Sequence, residues 1–381
     1  MSEAVPNLMM KDGIRDDDWS GELLSEDLSS LDADAISLAR DLFKQNNPLN
    51  ENIDRLNNEE FLSELGLIRD GRITRAAAIL LGCRDRISDL GEPEISWVVK
   101  SGNNIVRDYR HLGIPFLPQF EEAISLITNR TYRRIMSGTS SEEMPTYSPS
   151  TLHEALLNSI VHCDFRKGMV IAIEEVQDKK IVFTNPGSFI EFSPESIALS
   201  ARGIQRQRNP LLAKTMDHLG LSDSTGFGLR RMFISQMKRG FPLPEYELKD
   251  DLVSLTIIGH EASNTVARIA YFNRLMTLED YLILDKHQKI KDLSSDDRMQ
   301  YEGIRRNLLC GRELPSLEPN LNSNERRIWN LITESDGLSI PEISDILEMN
   351  YATTRYNVRK LEGRGRIIRS KRGWVPIRYP S

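Results

Sequence analysis

Apolar positions along this chain change their period several times, and each change marks an element. Between residues 152 and 165, Leu152, Ala155, Leu156, Ser159 and Ile160 recur at helical spacing and predict a helix with one buried stripe. Glu154, Asn158 and His162 stand at i, i+4 and i+8 of that helix and so line up along one side of it. The pattern then shifts to β-branched and aromatic residues over 180–187, which predicts a strand ending in a tight Pro-Gly loop. Residues 94–100 and 252–258 read as strands too. Residues 224–232, Ser-Thr-Gly-Phe-Gly-Leu-Arg-Arg-Met, form a glycine-bearing loop running into an amphipathic helix, a combination that brings backbone N–H groups up to an anion. Further helices are predicted over 31–42, started by Asp32, and over 58–65, with Asn58 and Glu60 as capping residues. A turn at Asp70-Gly71 leads into a small-residue helix, and 116–136 reads as one long helix followed by a linker at 137–143.

After residue 259 the spacing is mostly helical, over 265–276, 278–289 and 297–310, with a Pro- and Asn-rich loop over 311–320. A helix over 324–334 turns Ile328, Trp329 and Ile332 inward. A second over 339–347 is capped by Ser339 with Pro341 in its first turn, and Asn350 caps a third over 351–363. That third helix carries Thr353, Thr354, Arg355, Asn357 and Arg359 on its polar sides, and 367–378 folds back as a ribbon turning at Lys371-Arg372-Gly373. Three helices and a basic ribbon predict a winged helix-turn-helix that binds DNA through those five residues with Lys371 and Arg372.

Composition narrows the class. With 39% hydrophobic and 28% charged residues over 381 positions, the chain reads as a globular protein of two to three domains. No apolar run reaches bilayer length and the start lacks a leader pattern, which predicts a cytoplasmic protein without a membrane segment. Cys83, Cys163 and Cys310 are far apart and read as reduced thiols. The net charge of -7 conceals an asymmetry: residues 1–35 hold ten acids against two bases, whereas 351–378 hold nine bases against Glu362. The basic end strengthens the DNA reading over a merely solvated face.

The ordered set Glu154-Ala-Leu-Leu-Asn158-Ser-Ile-Val-His162-Cys-Asp-Phe, Asn185-Pro-Gly187, Arg208-Asn-Pro and Ser224-Thr-Gly-Phe-Gly-Leu-Arg-Arg-Met resembles the GHKL nucleotide-binding fold of gyrase B, MutL and histidine kinases. Within it, the chain is similar to the family described as the C-terminal domain of ATP-dependent helicases, found behind a Schlafen-like AlbA domain. The resemblance implies ATP and Mg²⁺ as cofactors, with Asn158 on the metal and Glu154 orienting or deprotonating the attacking water. It puts His162 near the phosphates, Asn185 in place of the usual adenine-contacting Asp, and Gly187 beside it for close approach. Thr225, Gly226 and Gly228 become the phosphate loop, Thr256 touches the adenine edge, and a lid over 190–223 carries Arg202, Arg206 and Arg208. The first residues are similar to the exit from an AlbA-like domain, which implies a short gene or a fragment.

The expected fold class is therefore α+β. Its parts are an acidic segment over 1–48, a small α/β unit over 49–140, a GHKL-type α/β sandwich over 146–260, a helical connector over 261–320 and a winged helix over 321–381. The leading functional expectation is a homodimeric regulator that couples nucleotide state to DNA binding, with hydrolysis left open. Two alternatives stand beside it: an ATPase of a nucleic-acid processing or anti-phage defence system, and a nucleotide-free dimerisation scaffold. No Walker lysine, Rossmann fingerprint or Ser/His/Asp triad competes.

Overall fold

The computed structural model describes residues 18–135, 141–177, 179–190, 193–200, 206–222, 226–260, 270, 276–289, 322–333, 337–363, 367–370 and 373–376. The chain divides into two units, residues 1–133 with 143–308 and residues 134–142 with 309–381.

The first unit begins with α1 (Ala33–Asn46), whose cap Asp32 accepts from the Ala35 N–H, and α2 (Asn58–Glu64). The cap of α2 is Asn57 rather than Asn58, because only Asn57 stands three residues before Glu60 and can close a reciprocal capping box with it. Strands β1 (Ile68–Arg69) and β2 (Arg72–Ile73) form a hairpin through Asp70 and Gly71, both at positive φ. Next comes α3 (Arg75–Leu81), which after Arg75 is apolar and buried on all sides.

The centre is a six-stranded sheet built from β3 (Glu94–Lys100), β4 (Val106–Gly113), β7 (Val170–Val176), β8 (Lys180–Pro186), β9 (Glu245–Lys249) and β10 (Leu252–Ile258). Its order is β4-β3-β7-β8-β10-β9, antiparallel except for the parallel pair β3 and β7. Strand alternation gives the sheet two unlike faces. Ile95, Trp97, Ile171, Ile173, Ile181, Phe183, Leu255 and Ile257 point to a buried face, covered by α4 (Phe116–Leu126) and α5 (Pro149–Val161), with α8 (Gly228–Lys238) packed on α5. The other face is half-exposed and largely polar, with Lys100 paired to Glu174 and the Thr184 hydroxyl 3.0 Å from that of Ser254.

Three expectations are corrected here. The helix predicted over 116–136 stops at Leu126, and Thr131–Ile135 is strand β5, paired with β6 (Ser141–Pro145) where a linker was expected. The Asn129 amide explains the break: it donates to the Tyr147 C=O at 2.9 Å and accepts from the Tyr147 N–H at 2.8 Å, holding an extended segment in place. The stretch 49–140 is not a separate α/β unit, because β3 pairs along its whole length with β7 of the expected nucleotide-binding region. Nor is the described part of 1–48 detached from it. Trp19 stacks on Phe165 at 5.0 Å, and Leu23 and Leu31 make strand bridges to Thr74 and Gly82.

After the sheet, α6 (Pro194–Leu199) and α7 (Pro210–His218) lie between β8 and α8 in sequence. Of the predicted connector helices, α9 (Leu278–Lys289) is described and buries Leu278, Tyr281 and Leu284. Those predicted over 265–276 and 297–310 lie, all but a few residues, outside the described residues.

The second unit contains α10 (Ser323–Thr333), α11 (Ile340–Ile346), α12 (Tyr351–Gly363) and the ribbon β11 (Ile367–Ser370) with β12 (Gly373–Pro376). Ile328, Ile332, Ile343, Val358, Leu361, Ile367 and Trp374 form its core. Ser339 closes a capping box with Glu342, and a strand bridge joins Leu338 to Trp374.

Because Phe183 and Thr184 sit on opposite faces of β8, truncating them should differ sharply. Phe183→Ala is expected to lower stability by about 3–5 kcal/mol and Thr184→Val by about 1 kcal/mol or less, read from denaturant midpoints. Equal losses would contradict the two-faced sheet.

Candidate functional site

Helix α5 buries Leu152, Ala155, Leu156, Ser159 and Ile160. Its remaining side turns Asn158 and His162 toward a cleft whose other walls are Asn185, Phe189, Ile190, Arg206, Leu229, Tyr246, Val253 and Leu255. The cleft measures about 50 Å³, well under the roughly 300–1,000 Å³ of sites that enclose a drug-sized ligand.

Glu154 lies one turn before Asn158, with its side chain 16% exposed. Its carboxylate accepts from Asn158 Nδ2 at 3.1 Å and lies 3.5 Å from Arg231 Nη2 on α8. Burial raises the Glu154 pKa, against the opposing pull of Arg231 and of the Asn158 hydrogen bond. The carboxylate rests on Gly228, and a Cβ there would occupy the same space. Glycine at the start of α8 is thus a packing requirement of Glu154. The bond from Asn158 Nδ2 leaves its Oδ1 to face elsewhere, the atom a hard cation would use.

His162 caps the C-terminus of α5. Burial, reinforced by the positive charge of Arg208, pulls its pKa down to about 4, so the ring is neutral at pH 7. Burial pushes the Cys163 thiol well up, and Tyr246 is raised by burial and by the charges of Glu154 and Glu195.

Asn185 is the one polar residue on the buried face of β8, following Ile181 and Phe183, and is 6% exposed. Its Nδ2 donates to the Pro186 C=O at 3.2 Å, which leaves Oδ1 as the acceptor toward the cleft. Gly187, at φ +112°, packs so closely that a Cβ would lie 2.9 Å from Asp164 Cβ and 3.4 Å from Arg208 Nε. Asp164 and Arg208 thus exclude a side chain at this position.

Two further corrections follow from geometry. Thr256 alternates with Val253, Leu255 and Ile257, so it lies on the far face of the sheet while Val253 and Leu255 line the cleft. Arg208 is engaged elsewhere: Nη1 meets Asp164 Oδ2 at 3.0 Å and Nη2 donates to the Ser188 C=O at 3.1 Å, both partners being largely buried. Its neighbour Asn209 donates to the carbonyls of Val161 and Cys163 at 2.9 and 2.8 Å, satisfying groups that the end of α5 leaves open. The Arg-Asn-Pro motif is thus a clamp on α5. Gly226 adopts φ +68° ahead of α8; Thr225 and Arg202 lie outside the described residues. Phe189 and Tyr246 meet edge to face at 6.0 Å, and Tyr246 escaped the sequence reading because it looks like an ordinary core aromatic there.

On α12, Thr353, Arg355 and Arg359 are exposed. Thr354 and Asn357 are corrected to structural roles, being 0% and 3% exposed. The Thr354 hydroxyl donates to the Asn350 C=O, and Asn357 Nδ2 donates to the Thr353 C=O at 2.8 Å. Tyr351 and Tyr356, unmarked by the sequence reading, complete the exposed face at 50% and 65%. Lys371 and Arg372 lie outside the described residues.

With this geometry in hand, the chain can be set beside known proteins. Residues 168–257 match the family described as "Putative ATP-dependent DNA helicase recG C-terminal", an ATPase-like match over β7 to β10. Residues 7–92 match a domain of unknown function, DUF8451, whose span runs across the boundary expected at residue 48. The HTH-type transcriptional regulator GlpR of Haloferax volcanii is 47% identical over 53 residues, 14% of this chain and 21% of that protein. The chain thus spans about a fifth of that curated relative's length. The DIP2311 protein from Corynebacterium diphtheriae shares the fold at a TM-score of 0.53 and 17% identity, over 94% of this chain and 64% of that one. The fold is α+β, with a GHKL-type α/β sandwich. Among the described residues no helix is long and apolar enough to cross a membrane.

The lowered pKa of His162 sets a direction for stability. The unfolded chain binds a proton near pH 6.5 that the folded chain refuses until about pH 4. Stability is therefore full above pH 6.5 and falls as pH drops through that window, by on the order of 2–3 kcal/mol. His162→Gln should flatten this loss in denaturant titrations between pH 7 and 4; an unchanged slope would contradict the enclosure of the ring.

Proposed function

We propose that the first unit binds ATP with Mg²⁺ in the α5 cleft, that the second binds DNA through α12 and its ribbon, and that the homodimeric chain couples the two. In this reading 146–260, extended by β3 and β4, is the nucleotide-binding domain, 321–381 is the winged helix, and the setting is cytoplasmic. The observation that carries the nucleotide half is the convergence of Asn158, His162 and Asn185, from two elements distant in sequence, on one cleft walled by Val253, Leu255 and Tyr246.

The donor set fits a nucleotide in kind. In this reading Asn185 Oδ1 accepts from an exocyclic amine, and the apolar walls suit a base. Asn158 supplies one amide oxygen for a hard cation. Among the described residues no three His, Cys, Asp or Glu side chains group as a metal site, so phosphates and water would complete the shell. Bound ATP supplies a phosphoanhydride; Glu154, with its raised pKa, is the residue to orient or deprotonate a water. Arg206 is the described lid arginine on the cleft. Gly226 and Gly228, with Thr225, are assigned to the phosphate loop.

Asn158→Ala should abolish ATP·Mg²⁺ binding in calorimetry while the far-ultraviolet dichroism is unchanged, since a helix accepts Ala readily. Equal affinity in both proteins would remove the site. The small cleft favours the scaffold as the second reading, and wild-type protein that takes up no nucleotide would establish it over the first.

For the DNA half, Thr353, Arg355 and Arg359, with Lys371 and Arg372, are the proposed contacts. Arg355→Ala should weaken duplex binding and reduce the log-log salt slope by about 0.9. Duplex titrations with and without ATP·Mg²⁺, paired with ATP titrations with and without duplex, should give one shared coupling factor. Identical DNA affinity in both nucleotide states would reject the coupling.

A further inference from the structure

Strand β4 forms one margin of the six-stranded sheet, and among the described residues no strand pairs with its outer side. It is exposed on both faces over Val106–His111. Ile105, Val106 and Tyr109 are 56%, 51% and 60% exposed. An open edge bearing apolar side chains is a template for another strand.

The main chain at Tyr109 shows which groups are available. Its N–H donates to Asp108 Oδ1 at 2.8 Å, and its C=O accepts from Arg110 Nη1 at 2.8 Å. Both peptide groups are held by neighbouring side chains, the arrangement of a residue whose N–H and C=O face the open edge together, as they do in an antiparallel strand. The same two side chains form an ion pair at 2.6 Å, about half-exposed on each side.

We propose that β4 pairs antiparallel with β4 of a second copy of this chain, about a two-fold axis at Tyr109. That register is self-complementary. The two Tyr109 residues stand opposite each other and exchange both main-chain hydrogen bonds. Asp108 of each copy stands opposite Arg110 of the other, twice, on one face of the joined sheet, and the two phenol rings meet on the other face. A shift by one residue in either direction loses this: centred between Asp108 and Tyr109, the pairing sets Arg107 against Arg110. The ion pair and side-chain bonds of the single chain are traded for the same kinds of bond between copies. The gain is the apolar area of Tyr109 and Val106 removed from water. The register irregularity beside Val99 and Lys100, which leaves Arg107 unpaired to β3, ends the regular stretch and keeps the interface short.

This surface belongs to the homodimer of the proposed function but needs neither nucleotide nor DNA. Sedimentation velocity of the full chain over a hundredfold dilution series should show a concentration-dependent monomer–dimer equilibrium. Asp108→Arg alone, or Arg110→Asp alone, sets like charges opposite each other and should raise the dissociation constant about tenfold or more. The double variant D108R/R110D restores opposite charges and should return it to near the wild-type value. Both substituted side chains are about half-exposed in the single chain, so unchanged thermal unfolding is the control. A wild type that stays monomeric throughout overturns both the surface and the homodimer. A wild-type dimer that the single variants leave intact, or that the double variant fails to restore, overturns the surface alone.

Discussion

Helix α5 is buried over most of its circumference, and the rest of the first unit depends on how it is rotated within that enclosure. Leu152, Ala155, Leu156 and Ile160 each gain from removal from water, about 1.5–3 kcal/mol for a large aliphatic side chain. Together they outweigh the cost of enclosing one carboxyl group at Glu154. The apolar stripe therefore decides the rotation of the helix, and Glu154 is carried into a place where burial raises its pKa. The clamp at Asn209 and the Arg208–Asp164 pair then hold the end of α5 and the loop after β8 against each other.

That arrangement gives the cleft an unusual charge state. His162 is neutral, and Tyr246 keeps its proton well beyond its ordinary range. Burial raises the Glu154 pKa above its ordinary value. Arginines remain as fixed positive charge, with Arg206 on the cleft wall and Arg231 beside Glu154.

In the second unit, helix α12 divides itself in a similar way. Val358 and Leu361 must reach the core formed with Ile328, Ile332 and Trp374. At 100° per residue, the same rotation buries Thr354 and Asn357, whose side chains turn to backbone carbonyls of their own helix and its cap. It leaves Tyr351, Arg355, Tyr356 and Arg359 facing out. Two polar residues of a predicted contact surface are thus structural, and two aromatic residues that the sequence left unassigned are on the surface.

Local pattern determined much of this protein. The stripe on α5, the strand over 180–186, the capping at Ser339 and Asn350, and the presence of three helices and a ribbon at the C-terminus all follow from periodicity and capping chemistry, which act within a few residues. So does the alignment of Asn158 with His162. Tertiary structure decided what depends on partners distant in the chain. Only the pairing of β3 with β7 made one sheet of two expected units. Only the register of β10 against β8 put Val253 and Leu255 on the cleft and Thr256 on the far face, because a strand offers both faces equally until the sheet is packed. Arg208 could serve an incoming anion or a buried carboxylate by its chemistry alone, and Asp164, 44 positions away, made that choice.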